Sequence, residues 1–249
     1  MPQLNAYHRP STVDEALHLL ARSGINTVVV GGGTYATAHM PEQADEVVDL
    51  QAIAPMREIF RTGSRLTLGA TVRLQTVVDD DRAPALLREA ARREGPNTLR
   101  NAATVGGTLI GTDKESEFLA ALLVFEAEVQ VQSSNGVKNV PLGDFMRDVA
   151  AALGQGLVLS VTLTTTGKTA ADRVARTPVD KPIVAAVARL KDDGKTALAL
   201  CGVANTPVLV DPDNVKAAIN PPGDFRGSTE YRRQMAATLA KRVINQISG

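Results

Sequence analysis

The chain has 249 residues, with 27 Lys and Arg set against 27 Asp and Glu. That balance, with aromatic residues at 3% and no tryptophan, argues against a basic nucleic-acid surface, a base-stacking platform or an electrostatic membrane anchor. The single cysteine, Cys201, excludes an internal disulfide framework and a metal site built on cysteines.

Elements read along the chain begin with a helix opened by Pro10-Ser11, with Ser11 as its cap. Val13, Ala16, Leu17 and Leu20 share one face, and Gly24 ends it. The β-branched run at 27–30 reads as a short buried strand feeding a triple-glycine turn, Val30-Gly31-Gly32-Gly33-Thr34-Tyr35, with another strand at 47–50. Successive backbone N–H groups in such a turn point inward and suit an anion. This turn lacks both the Gly-x-Gly-x-x-Gly spacing and the Gly-Lys-Ser/Thr ending, so alone it reads as a tight turn.

The next part holds a strand at 65–70, a short helix capped by Thr71 and carrying Leu74, Val77 and Val78, and a helix over about 85–93. A glycine-punctuated turn follows over 97–117, wedged before the apolar run 118–125. Gly106 and Gly107 let the backbone approach something bulky, and Thr104, Thr108, Thr112 and Ser116 supply hydroxyls suited to phosphate or sugar oxygens. Two such glycine turns can close on the two sides of one pyrophosphate. A helix over about 117–125, an alternating strand at 127–132, the hairpin turn Ser133-Ser134-Asn135-Gly136 into 137–140, and a strand at 157–163 complete this part.

Residues 166–249 read as a third piece. Runs at 183–190 and 196–203 are β-prone and joined by Lys191-Asp192-Asp193-Gly194 as a meander. Pro207, Pro212, Pro221 and Pro222 mark an irregular connection. A helix from about 229 carries Tyr231, Met235, Leu239, Val243 and Ile244 on one face, with Arg232, Arg233, Lys241 and Arg242 on a solvated side.

Catalytic apparatus is sparse. His8, His18 and His39 lack metal-ligand spacing, and His39, although it follows the first glycine turn, reads as loop polarity. Asp79-Asp80-Asp81 reads as a solvated helix end, and there is no Gly-x-Ser-x-Gly nucleophile turn. Cys201 reads as a small buried hydrophobe. No catalytic residue and no metal ligand is expected; the pattern favours a cofactor that brings the chemistry to a protein that positions it. With no signal pattern and no apolar run of spanning length, a cytoplasmic protein without membrane insertion is expected.

The two loops with their neighbours resemble the flavin subunit or domain of molybdenum hydroxylases, the family of the carbon monoxide dehydrogenase medium subunit and the xanthine dehydrogenase FAD domain. The resemblance runs through Tyr7-His8-Arg9-Pro10-Ser11, Val30-Gly31-Gly32-Gly33-Thr34, Leu68-Gly69-Ala70-Thr71, Leu99-Arg100-Asn101-Ala102-Ala103-Thr104-Val105-Gly106-Gly107-Thr108-Leu109, Gly202-Val203-Ala204-Asn205-Thr206-Pro207 and Asp224-Phe225-Arg226-Gly227-Ser228. It covers nearly the whole chain in order.

The resemblance implies an α+β fold: a two-subdomain FAD-binding module of the vanillyl-alcohol-oxidase-like type at 1–165 (subdomains about 1–60 and 61–165), then a small α+β C-terminal domain at 166–249, a three-stranded meander plus helices. It implies that Val30, Gly31, Gly32, Gly33, Thr34 and Tyr35, with Ala103, Thr104, Gly106, Gly107 and Thr108, hold the FAD pyrophosphate, and that Ala70 lies near the cofactor. Ser116 and Glu117 stand where the family has polar residues beside the FAD. Leu157 or Val158 falls near the ring system, and Arg173 stands where some members place a lysine by the flavin. Tyr35 departs from a small polar or acidic residue, Leu157 from a frequent glutamate, and Gly111-Thr112-Asp113-Lys114 from an Ala-Asp-Pro-type segment. The implied role is an FAD-binding electron-transfer subunit. It would take electrons from 2Fe-2S clusters in an iron–sulfur small subunit, fed by a molybdenum-cofactor large subunit, and pass them to an external acceptor. A flavin-free scaffold and an autonomous flavin oxidoreductase are the alternatives.

Overall fold

A computed structural model describes residues 3–249. The first sheet is built from β1 (Ala6–His8), β2 (Thr27–Val30) and β3 (Glu46–Asp49), parallel and in the order β1-β3-β2. β1 is not legible from its three residues, which lack apolar alternation; it forms by pairing along β3. Helix α1 (Val13–Leu20) lies between β1 and β2. Its cap is Thr12 rather than Ser11: Thr12 Oγ1 accepts from the Glu15 N–H at 3.2 Å, while the Ser11 N–H reaches the Glu15 carboxylate at 2.9 Å.

The second sheet is antiparallel. It contains β4 (Ile59–Thr62), β5 (Arg65–Gly69), β6 (Glu128–Ser133), β7 (Gly136–Pro141) and β8 (Leu157–Thr164), in the order β4-β5-β8-β6-β7. Between β5 and β6 the chain makes α2 (Leu74–Asp79), α3 (Ala85–Arg92), α4 (Asn97–Arg100), α5 (Val105–Gly111) and α6 (Glu117–Val124). Between β7 and β8 lie α7 (Leu142–Arg147) and α8 (Val149–Leu153). Helix α5 corrects the expectation of an open glycine turn. Each glycine costs a helix about 1 kcal/mol, yet tertiary bonds hold this one. The Val105 N–H donates to Val72 O at 2.9 Å, the Gly106 N–H to Ala70 O at 2.7 Å, and Thr104 caps the first turn. Thr71 caps nothing, since α2 begins after Arg73 without a side-chain cap.

The third sheet is an antiparallel meander of four strands rather than the expected three: β9 (Lys168–Val174), β10 (Val184–Leu190), β11 (Thr196–Cys201) and β12 (Val208–Val210), in the order β12-β11-β10-β9. β9 is hidden in sequence by Lys168, Asp172 and Arg173. Helices α9 (Val215–Ala218) and α10 (Thr229–Ser248) follow. The sheet is covered on both faces, which explains the unbroken apolar run of β10. Ala185, Val187, Ala199 and Cys201 join the core around α6, and Ala186, Ala188, Leu198 and Leu200 pack with Ala236, Leu239 and Val243 of α10. Every residue of α6 is buried.

Arg232 is the main reversal on α10. Expected on a solvated side, it is buried: Nη1 donates to Ile183 O at 2.6 Å and Gly202 O at 2.9 Å, and Nη2 to Asp224 at 2.7 Å. The chain ends of β10 and β11 leave carbonyls that a guanidinium satisfies. In the aspartate run, Asp80 pairs with Arg82 and Asp81 with Arg88. Among the described residues no group of His, Cys, Asp or Glu is arranged to hold a metal ion, and no helix is long and apolar enough to cross a membrane.

Candidate functional site

The two glycine stretches come into direct contact. The turn after β2 lies against the loop that enters α5. A Cβ built on Gly31 would sit 2.9 Å from Thr104 Oγ1, and one on Gly32 only 1.8 Å from the Ala102 carbonyl oxygen. On the other side, a Cβ on Gly106 would meet Ala70 O at 2.9 Å. Gly32 and Gly106 therefore serve first to bring backbone against backbone, and Gly31 to seat the Thr104 side chain. Gly33 has a φ of +78°, the left-handed conformation that reverses the chain here.

A cavity of about 340 Å³ opens between them, within the size range of small-molecule sites. Its walls include Gly31, Gly32, Gly33, Thr34 and Tyr35 from the first turn, Ala70 and Thr71 beyond β5, Thr104, Gly106 and Gly107 from the α5 entry, and Leu157 and Val158 of β8. Val28, Val29, Leu50 and Ile110 add apolar surface. Among the described residues no Lys, Arg, Asp or Glu lines it.

Polar capacity therefore comes from the backbone. Among the described residues the N–H groups of Gly32, Gly33, Thr34 and Tyr35 donate to no protein acceptor. The α5 entry differs: Gly106 N–H is taken by Ala70 O, Gly107 N–H by Thr104 Oγ1 at 3.1 Å, and Thr108 N–H by Thr104 O. The first turn thus carries the unengaged donors, and the second loop is a buttress. A run of free amides in a concave, neutral wall fits a diphosphate, whose oxygens need donors and whose bulk needs glycine-lined space. Thr71 Oγ1 is also buried without a partner.

The remaining expected residues fall into three groups. Val30, Ala103 and Thr108 stand behind the wall rather than in it: Val30 ends β2, Ala103 O accepts from the Leu74 N–H at 2.9 Å, and Thr108 Oγ1 donates to Thr104 O at 3.0 Å. Tyr35 lines the cleft, and its ring stacks on His39 with centroids 4.1 Å apart. A Cβ on Gly111 would come within 3.3 Å of that ring. The unusual Tyr35 and the unusual Gly111 therefore accommodate each other. His39 also lines the cleft, as its place after the turn allowed and its reading as loop polarity did not expect.

Ser116, Glu117 and Arg173 are not in the cleft lining. They form a buried charged cluster at the start of α6. Glu117 accepts from Arg93 Nη1 on one oxygen at 3.0 Å, while Arg173 Nη1 stands 2.9 Å from the other as an ion-pair contact without hydrogen-bond geometry. Burial nonetheless pushes the Glu117 carboxyl up, against the pull of both arginines. Ser116 caps α6 and donates its hydroxyl to Glu94 at 2.7 Å. Lys181 bridges Glu94 at 3.2 Å and Asp113 at 2.6 Å. Burial alone would lower its ammonium, but the two carboxylates outweigh it and hold it above the usual lysine range. Cys201 Sγ donates to Ser116 O at 3.2 Å, and burial drives its thiol well up, which leaves it inert. Glu94 and Lys181 carry no local sequence signal; only the fold brings them to Ser116.

Comparison with known proteins bears on this geometry. Residues 2–163 match a family described as the FAD binding domain in molybdopterin dehydrogenase. The chain is 26% identical to the carbon monoxide dehydrogenase medium chain of Hydrogenophaga pseudoflava, covering 98% of this chain and 97% of that one. It is 23% identical to the glyceraldehyde dehydrogenase medium chain of Sulfolobus acidocaldarius, covering 98% of each. Its fold matches a solved carbon monoxide dehydrogenase from Hydrogenophaga pseudoflava with a TM-score of 0.87 at 22% identity, over 100% of this chain and 98% of that chain. A quinoline 2-oxidoreductase from Pseudomonas putida 86 gives 0.85 at 22% identity, over 99% and 97%.

Proposed function

The chain belongs to the family of FAD-binding domains of molybdopterin dehydrogenases, and we propose from this that it is the FAD-binding electron-transfer subunit of a molybdenum-cofactor-dependent oxidoreductase complex. The observation that carries the reading is the uncharged cleft between the glycine stretches, with its row of unengaged amides. Bound FAD supplies reversible redox chemistry that no side chain here offers. The chain's own part is to hold and orient. The amides of Gly32 to Tyr35 meet the pyrophosphate, with Gly31, Ala70, Gly106 and Gly107 giving it room. Val30, Ala103 and Thr108 fix the two loops from behind, and Thr104 braces them from within the wall. Leu157 and Val158 offer an apolar wall toward the ring end, and Ser116, Glu117 and Arg173 set the charge beyond it.

In this reading the partners are a molybdenum-cofactor large subunit and an iron–sulfur small subunit with 2Fe-2S clusters. Electrons reach this chain from those clusters and leave to an external acceptor. The medium-chain names of the similar proteins support the assignment. We take residues 1–165 as the flavin module and 166–249 as the C-terminal domain, so that the third sheet and α10 are added to a complete cofactor cleft.

The test is the absorbance spectrum of the purified protein before and after incubation with FAD, with metal counting on any co-purified complex. A flavin spectrum that persists through gel filtration is expected. A colourless protein that takes up no FAD, yet still holds partner subunits, would leave only the scaffold role.

A further inference from the structure

A second concave surface, which shares no lining residue with the cleft, lies where α3 and the bend into α4 face the loop from β9 to β10. It is a groove of about 1000 Å³, and five arginines line it: Arg92, Arg93, Arg100, Arg173 and Arg176. Among the described residues Glu89 is the one carboxylate in the lining. On a chain with no net charge, this is a local concentration that the fold, not the composition, creates.

Three of the guanidiniums, those of Arg93, Arg100 and Arg173, are held in place. Arg93 and Arg173 flank the two oxygens of buried Glu117, and Arg93 also bonds Glu89 at 3.0 Å. Arg173 donates to the Asp180 carbonyl. Arg100 donates to Gln75 at 2.8 Å and to the carbonyls of Arg92 and Gly95, and it has no carboxylate partner among the described residues. At the two ends the pairing is loose. Arg92 stands 3.8 Å from Glu89, Arg176 stands 3.6 Å from Asp180, and both side chains are more than half exposed. Three carboxylates thus serve five guanidiniums, and the excess charge sits on the fixed fork of Arg100 and on the two loosely paired forks of Arg92 and Arg176. Planar guanidiniums facing a concave space bind phosphate oxygens in pairs.

We propose that this groove binds the pyrophosphate group of a second ligand, independently of the uncharged cleft. The same chemistry is offered by a nucleoside diphosphate and by free pyrophosphate. Arg92 and Arg176 are the readers with spare capacity, Arg100 supplies unneutralised charge, and Arg93 and Arg173 form the fixed floor. The inference does not require the flavin reading: its two readers, Arg92 and Arg176, have no part in that reading, and of the floor only Arg173 is shared with the ring end.

Isothermal titration of the FAD-saturated chain, its glycine cleft filled, with sodium pyrophosphate and separately with ADP tests it. The Arg92→Gln/Arg176→Gln double variant should bind both at least tenfold more weakly, with an unchanged melting temperature and unchanged flavin content. Arg147→Gln, a surface arginine paired with Asp144 elsewhere, should bind as the wild type does. Tighter binding of ADP than of pyrophosphate identifies a nucleotide; equal binding identifies the inorganic anion. Equal affinities in wild type and double variant would overturn the proposal, as would an oligoglutamate peptide binding where neither phosphate does. Failure of the flavin assignment would show instead in the absorbance spectrum, and the Arg92→Gln/Arg176→Gln variant would still separate the groove from the cleft, whose lining it leaves intact.

Discussion

Gly32→Ala separates the two uses of glycine in the cleft. The added methyl would lie 1.8 Å from the Ala102 oxygen, 2.8 Å from its carbonyl carbon and 3.2 Å from Thr104 Cγ2. Relief to an ordinary contact needs a shift of about 1.6 Å, against backbone rather than a side-chain tip. The Ala102 segment is not free to yield. The Ala102 and Ala103 N–H groups both donate to Leu99 O, and the Leu74 N–H holds Ala103 O. Overpacking of this kind costs about 1–3 kcal/mol, and a value near the top is expected. The first turn must then move, which tilts its free amides.

Urea denaturation of the flavin-depleted protein measures the first effect, and titration with FAD the second. A loss of roughly 2–3 kcal/mol and at least a tenfold weaker flavin complex are expected. Gly24→Ala is the control: nothing lies within 4 Å of the added methyl, so only the φ of +76° penalises it. That cost is about 1–2 kcal/mol with flavin affinity unchanged. A Gly32→Ala protein as stable as the wild type, with the same flavin affinity, would refute the close approach of the two loops.

Other substitutions read different parts of the structure. Thr71→Val removes a buried hydroxyl without a protein partner, so the flavin-free protein should become more stable by about 1 kcal/mol in a thermal melt; destabilisation would mean that the hydroxyl is engaged. Arg232→Met strips Ile183 O, Gly202 O and Asp224 of a shared donor and should cost about 3–5 kcal/mol. Asp224 also gives this variant a pH signature. The Arg232 bond holds its carboxyl well below the usual range, so its stabilisation is present above the ordinary pKa of about 3.9 and is lost as pH falls through the folded value. Melts across acid pH should show that loss in the wild type and a flatter curve in the variant. Arg173→Ala should lower the flavin potential by roughly 20–30 mV, on the order of 1 kcal/mol for two electrons, since a cation favours the anionic reduced ring; an unchanged potential removes Arg173 from the ring environment.

The first turn was legible because its constraint is local: a β-branched strand must stop, and Gly31 to Gly33 are where it can. The α5 entry was legible as a motif but not as a helix. Its stability comes from Val72 O and Ala70 O, more than thirty residues upstream in sequence. Composition placed Arg232 on the surface, yet two strand-end carbonyls and Asp224 call for a buried donor. Glu117 and Arg173 were found through resemblance, but their ion pair joins residues 56 positions apart, and the third member, Arg93, was visible only as a helix-end charge. The charge clusters were thus the least readable part, because an ion pair leaves no periodicity on either strand or helix.

Cleft and groove meet negative charge by different physics, and salt tells them apart. In the cleft the donors are backbone dipoles, fixed by the fold, with no Lys, Arg, Asp or Glu in the wall among the described residues. Dissolved ions have little net charge to screen there. In the groove the outer readers, Arg92 and Arg176, are 55% and 62% exposed and act through full charges in open solvent. The screening length falls from about 10 Å at 0.1 M to about 3 Å at 1 M, less than the spacing over which these guanidiniums must act together. Raising salt across that range should weaken pyrophosphate binding by roughly tenfold or more and flavin binding by less than about threefold. Parallel loss of both would mean that charged side chains, not the amides of the first turn, hold the flavin phosphates, and the assignment of that turn would have to be abandoned.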